Sequence, residues 1–182
     1  MSGITGYTSL NAIKPQVLEQ MINAIKHRGR DAESQFYTEK IGLGFCEHEV
    51  RNTGYSLNNP HLYLERYVVV ADARLYNYIE LISELEEAGY VLETTSENEI
   101  IALAYDHWGV ECLNKFNGPL ARFLFDTHKK EYFLARDRFG KKPFYFYRSS
   151  ETFVFGSEVK AIYASGLVPI LQNTEYLENY IK

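Results

Sequence analysis

With 182 residues and a formal net charge of −5, the chain has room for one ordinary domain and a sizeable core. No Lys/Arg block stands out, no apolar run is long enough for a membrane span, and no charged-then-apolar leader opens the sequence, so neither nucleic acid nor membrane is an expected partner. Fifteen tyrosines and eleven phenylalanines point instead to strands with large buried faces.

Cys46 and Cys112 lie far apart and outside any CxxC spacing. They read as reduced, buried small hydrophobes of a cytoplasmic protein, and no metal or other cofactor is expected. In chain order, residues 4–8 form a short strand. Pro15 opens a helix near its first turn, with Val17, Met21, Ile22 and Ile25 at helical spacing and Gly29 closing it beyond His27. Strand-like runs follow at 34–38 and 41–48, and the Asn-, Gly-, Ser- and Pro-rich stretch 51–60 reads as a loop. Residues 62–64 and 67–71 give the strongest strand signal, the second run buried on both faces.

Residues 76–89 turn helical, with Ile79, Leu81, Ile82 and Leu85 sharing a face and Gly89 as the stop. Ser96 and Glu99 have capping-box spacing before a helix that runs to Trp108-Gly109. A shorter helix at 110–116 ends in Asn117-Gly118-Pro119. The last third is β-rich: a hairpin of 120–125 with 132–135, then one of 144–147 with 153–155. Ser157 is the expected cap of a short helix through 159–164, and Asn173-Thr174 of a final fragment at 175–181. Strands, then helices, then strands indicate an α+β design of layered, largely antiparallel sheets.

The first six residues, Met1-Ser2-Gly3-Ile4-Thr5-Gly6, carry the chemical question. Removal of Met1 would leave Ser2 beside an α-amine titrating near pH 8, a self-contained activated nucleophile. The alternative is a small residue that merely opens a strand.

Several motifs bear on that choice. They are Ser2-Gly3-Ile4 with Gly6, His27-Arg28-Gly29-x-Asp31, Leu75-Tyr76-Asn77-Tyr78, and Thr95-Ser96-x-x-Glu99. Trp108-Gly109, Gly118-Pro119-Leu120-Ala121-Arg122-Phe123, the long run from Phe133 to Tyr145, and Phe155-x-Ser157-Glu158-x-Lys160-Ala161 complete the set. In their order and spacing the chain resembles the glutaminase domain of asparagine synthetases, a class II glutamine amidotransferase of the N-terminal-nucleophile fold. The resemblance implies a four-layer αββα sandwich with two stacked, mainly antiparallel sheets. It also implies an amidotransferase domain over residues 1–170, with 171–182 as tail or the start of a linker to an ATP-dependent synthetase domain.

What the family's chemistry needs differs from what stands here. The family's nucleophile is a cysteine, and this chain has Ser2, a weaker nucleophile. The family's Asn-Gly-Glu-Ile-Tyr-Asn motif is replaced by Asp72-Ala73-Arg74-Leu75-Tyr76-Asn77. An ionised Asp72 can only accept hydrogen bonds, where the family's Asn donates to a developing oxyanion. Ala73 keeps the backbone N–H of the family's glycine if a residue with Cβ fits that backbone. In the amino-acid clamp, the carboxylate-gripping Arg falls near His48 or Arg51, the motif's Glu becomes Arg74, and the ammonium-binding Asp corresponds to Glu97.

Three functions follow. The first is a degenerate glutaminase domain serving as structural or regulatory partner of an asparagine-synthetase-like ligase, on the same or a separate chain. The second is a Ser2-dependent amidohydrolase acting on glutamine or another amide. The third is a stand-alone module holding a small amide or amino-acid ligand between Asp72, Arg74 and Glu97. A homodimer is a further expectation. Cys46 beside Glu47 and His48 lacks a second ligand cluster that would make a metal site, and Arg136-Asp137, Gly140 and Lys142-Pro143 read as scaffold for the second sheet.

Overall fold

The computed structural model describes residues 2–48, 59–171 and Thr174. In chain order the elements are β1 (Gly3–Ser9), α1 (Pro15–Ile25), β2 (Ala32–Tyr37), β3 (Ile41–Glu47), β4 (His61–Tyr63) and β5 (Tyr67–Ala73). Then come α2 (Tyr78–Glu87), α3 (Glu97–Trp108), α4 (Cys112–Lys115), β6 (Leu120–Asp126), β7 (Glu131–Arg136), β8 (Tyr145–Arg148), β9 (Thr152–Gly156) and α5 (Val159–Ala164). The expected final helix at 175–181 and its cap at Asn173 lie outside the described residues, as does most of the loop at 51–60.

The strands form two sheets, β2-β3-β1-β9-β8 and β4-β5-β6-β7, and every pair among the described residues is antiparallel. β1 lies at the centre of the first sheet, so its pairing spans the molecule: Thr5 faces Gly44 on one side and Gly156 on the other. The period-2 alternation of side chains then decides the layers. In β6, Ala121 and Phe123 face the other sheet, where they meet Ile4, Phe45, Val70 and Phe155 in an inter-sheet core. Leu120 and Leu124 face the opposite way and pack with Leu81, Leu85, Ile100, Ile101 and Leu103 of α2 and α3. On the outer face of the first sheet, Tyr7, Cys46 and Val154 pack beneath Leu18, Met21, Ile22 and Ile25 of α1 and Ala161 and Ile162 of α5. Helices therefore cover both outer faces of a stacked pair of sheets, the α+β four-layer sandwich that the family resemblance implies.

Three local readings change. Ile79 is 64% exposed, because the buried stripe of α2 runs through Leu81 and Leu85 and the helix begins two residues later than the periodicity indicates. Ser96 does cap α3, its hydroxyl accepting from the Glu99 N–H at 3.2 Å. The reciprocal half of the box is absent: the Glu99 carboxylate instead accepts from the Glu93 and Thr94 N–H groups, each at 2.7 Å, and so folds the preceding loop onto the helix. Ser157 does not cap α5. Its hydroxyl accepts from the Ile4 N–H at 2.9 Å while its own N–H donates to the Ile4 carbonyl at 2.8 Å, fixing the first strand to the segment before α5. A tertiary partner outcompetes the local one.

Candidate functional site

Ser2 stands half-buried at the head of β1. Its carbonyl accepts from Arg28 Nε at 3.1 Å, and its hydroxyl takes a long 3.4 Å contact from the His48 N–H. Arg28 comes from the short 3₁₀ turn after α1, with its side chain only 9% exposed, and its Nη1 reaches Glu158 at 3.1 Å. Glu158 also accepts from His27 at 2.7 Å and pairs with Lys160 at 3.1 Å. Burial works against the Glu158 charge, but the hydrogen bonds from Arg28, Lys160 and His27 hold its carboxyl below the usual range. The positive cluster at His27-Arg28 thus has an internal anion.

β5 carries the next groups. Asp72 is 3% exposed near the end of the strand, opposite Ala121. Its Oδ1 receives the Lys142 ammonium, and its Oδ2 has no hydrogen-bond partner among the described residues. Burial pushes the Asp72 carboxyl up, against the pull of Lys142 and Arg28. Arg28 bonds the Ser2 carbonyl and is near enough to Asp72 for its charge to act on that carboxyl, so the two residues lie at one end of the sandwich. Ala73 remains within β5, paired with Leu120 and outside the left-handed region, so its Cβ is no obstacle to that strand backbone.

Lys142 is aimed by its loop. Asp137 accepts from the N–H groups of Phe139, Lys141 and Lys142 at 2.9–3.2 Å and from Leu120 at 3.3 Å. Burial opposes the Asp137 charge, and these four donors hold its carboxyl below the usual range all the same. Gly140 takes φ +62°, where a Cβ would also collide with the Arg136 guanidinium. The segment is scaffold, as its sequence suggests. It is also the source of a cation for the site, which sequence reasoning missed. The available signal was Asp72 itself, since a carboxylate inside an apolar strand needs a positive partner.

Beyond β5, Arg74 is fixed by its N–H to the Pro119 carbonyl at 2.9 Å. Gly118, at φ +147°, lies so close to the Arg74 carbonyl that a Cβ would come within 1.9 Å of that oxygen. The Arg74 guanidinium lies 3.7 Å from Glu97 in the first turn of α3, both side chains about one-third exposed. His48 brings its backbone to Ser2, but its ring turns to Asp31 at 3.1 Å. Arg51 lies outside the described residues. Of the site residues expected from sequence, Ser2 and Asp72 share one end of the fold, and Arg74 and Glu97 meet each other. Asp72, Arg74, Glu97 and the His48 ring each already have an internal partner.

Cys46 is fully buried, with its thiol 3.8 Å from the Ile22 carbonyl and pushed up to about 11 by burial. It does not join the Ser2 cluster. No group of three metal-ligating side chains assembles among the described residues.

Two stacked antiparallel sheets between helices, with a small residue heading the central strand, define an N-terminal-nucleophile amidotransferase fold. Solved structures share it. The chain superimposes on the glutamine phosphoribosylpyrophosphate amidotransferase from B. subtilis with a TM-score of 0.75 at 18% identity, covering 90% of this chain and 43% of that one. At that identity the likeness concerns the fold alone.

Sequence comparison supplies the family. Residues 1–182 match the glutamine amidotransferase domain family, and the chain belongs to it as an asparagine-synthetase-type class II domain. It is 33% identical over 154 residues to the glutamine-hydrolysing asparagine synthetase 1 of Bacillus subtilis, covering 83% of this chain and 24% of that protein. A putative asparagine synthetase of Methanocaldococcus jannaschii is 34% identical over 185 residues, covering 90% of this chain and 35% of that protein. An amidase, chry2, of Gibberella zeae is 28% identical over 166 residues, covering 88% and 25%. The chain therefore spans between a quarter and about a third of the length of these relatives.

Proposed function

We propose that this domain does not hydrolyse glutamine efficiently and serves as a structural or regulatory partner of an ATP-dependent, amide-forming synthetase. The observation that carries this reading is the double charge pairing in the site, Lys142 on Asp72 and Arg74 beside Glu97. A glutamine zwitterion needs one fixed cation and one fixed anion free to receive it. Here Glu97 faces Arg74, and the position that should donate to an oxyanion is a carboxylate. Loss of one oxyanion donor typically costs on the order of 10²–10³ in turnover. The serine nucleophile adds to that loss. The synthetase partnership draws on the relatives, which are asparagine synthetases three to four times the length of their matched part.

Ammonia release from glutamine tests the reading directly. The expected result is no release above that of the Ser2→Ala variant. Turnover that disappears on Ser2→Ala would overturn it and favour a Ser2-dependent amidohydrolase. That second reading rests on the place of Ser2 at the head of β1 and on likeness to a protein named as an amidase.

A further inference from the structure

At the end of β1 opposite Ser2 the two sheets part around a cavity of about 600 Å³, within the ~300–1,000 Å³ range of small-molecule sites. The distance from Ser2 is a full seven-residue strand, roughly 20 Å. The inner faces of both sheets supply its apolar wall: Ile41 and Phe153 from one, Phe125 and Tyr132 from the other. Tyr132 is 40% exposed although its ring stacks on Phe123 and lies 5.3 Å from Phe153, so aromatic surface is open to water here.

The rim comes from hairpin turns of both sheets and holds four charges. Glu39 and Lys40 lie 3.7 Å apart, and the Lys40 ammonium also donates to the Leu10 carbonyl, so these two satisfy each other. That leaves Lys130 in the β6–β7 turn and Glu151 in the β8–β9 turn, neither with a side-chain ion pair among the described residues. One cation on one sheet and one anion on the other discriminate between ligands. A bare carboxylate would leave Glu151 without a partner, and a bare amine would leave Lys130 without one. A molecule with both charges on an apolar body satisfies the rim and covers the wall.

We infer that this cavity binds a free α-amino acid with an aromatic or large aliphatic side chain, its carboxylate toward Lys130 and its ammonium toward Glu151. The site is independent of the Ser2 end and of the reading proposed for it. An amino-acid-sensing site there gives the domain a second, non-catalytic input.

Isothermal titration with L-phenylalanine and L-leucine tests the inference, with 3-phenylpropionate and phenethylamine as single-charge analogues. L-Phenylalanine should bind at least tenfold more tightly than either analogue. Lys130→Met and Glu151→Gln, both surface changes, should each weaken it and narrow the gap to the analogue lacking the corresponding charge. Ser2→Ala should leave the affinity unchanged. Absence of binding by both amino acids, equal binding of all three phenyl compounds, or insensitivity to both rim variants would each overturn the inference.

Discussion

Lys142 decides how Asp72 is tolerated. A carboxylate 3% exposed, with one oxygen lacking any hydrogen bond among the described residues, is costly unless a cation stands beside it. Lys142→Met therefore should destabilise by on the order of 3 kcal/mol in urea unfolding, and adding Asp72→Asn should recover most of the loss. The pH sign follows from the raised carboxyl. The native state holds that proton more tightly than the unfolded chain does, so the contribution present at acid pH falls as pH rises through the ordinary Asp value towards the folded one. Lys142→Met should steepen this fall, read as the slope of stability against pH. The sequence displayed Asp72 plainly and hid its partner, because the pair is 70 residues apart and is set by how one loop folds over Asp137.

At the scale of elements, the β6–β7 hairpin has the clearest acid-sensitive joint. Asp126 closes β6, almost fully buried, and takes Arg66 at 3.1 Å through Nε and at 2.7 Å through Nη2. The His128 and Lys129 N–H groups complete its shell. The Arg66 bonds and those N–H groups hold its carboxyl at about 2, against burial. A depressed folded value stabilises above the unfolded pKa and is lost as pH falls from ordinary carboxylate values towards 2. Asp126→Asn should cost on the order of 2 kcal/mol at neutral pH and flatten the acid limb of the stability curve. The hairpin itself was legible from its turn residues and β-rich flanks. The Arg66 contact was not, since Arg66 lies in the turn between β4 and β5, sixty residues away. Ser157 shows the same limit: its spacing reads as a cap, and only the stacked strands show Ile4 as its partner.

For the molecule as a whole, nearly every element was readable from periodicity and the layer order from the family resemblance, while the partners of buried charges were not. Arg122 is the sharpest case. Alternation along β6 turns it into the layer between the second sheet and the helices, fully buried among Phe133, Phe116 and Tyr105 rings, with Nε and Nη1 unbonded and Nη2 3.4 Å from the Cys112 thiol. Burial lowers its pKa and raises that of Cys112. Cation–π contact offsets part of the desolvation, and no carboxylate pairs with it among the described residues. Arg122→Met keeps the volume and removes the charge, so thermal unfolding should shift upward by about 1 kcal/mol or more. Since β6 belongs to both apolar layers of its sheet, near- and far-ultraviolet circular dichroism should report the same shifted transition.

The central position of β1 sets an order of assembly. Its partners are β3, some forty residues away, and β9, with Tyr7 opposite Val154. On a ribosome adding about 5–20 residues per second, β1 waits on the order of 10–30 s for its second neighbour to be made. During that interval one side of the strand that carries Ser2 is an open edge, able to pair with any extended chain nearby. β1 is thus made before both of its neighbours and is locked in place only when the second arrives.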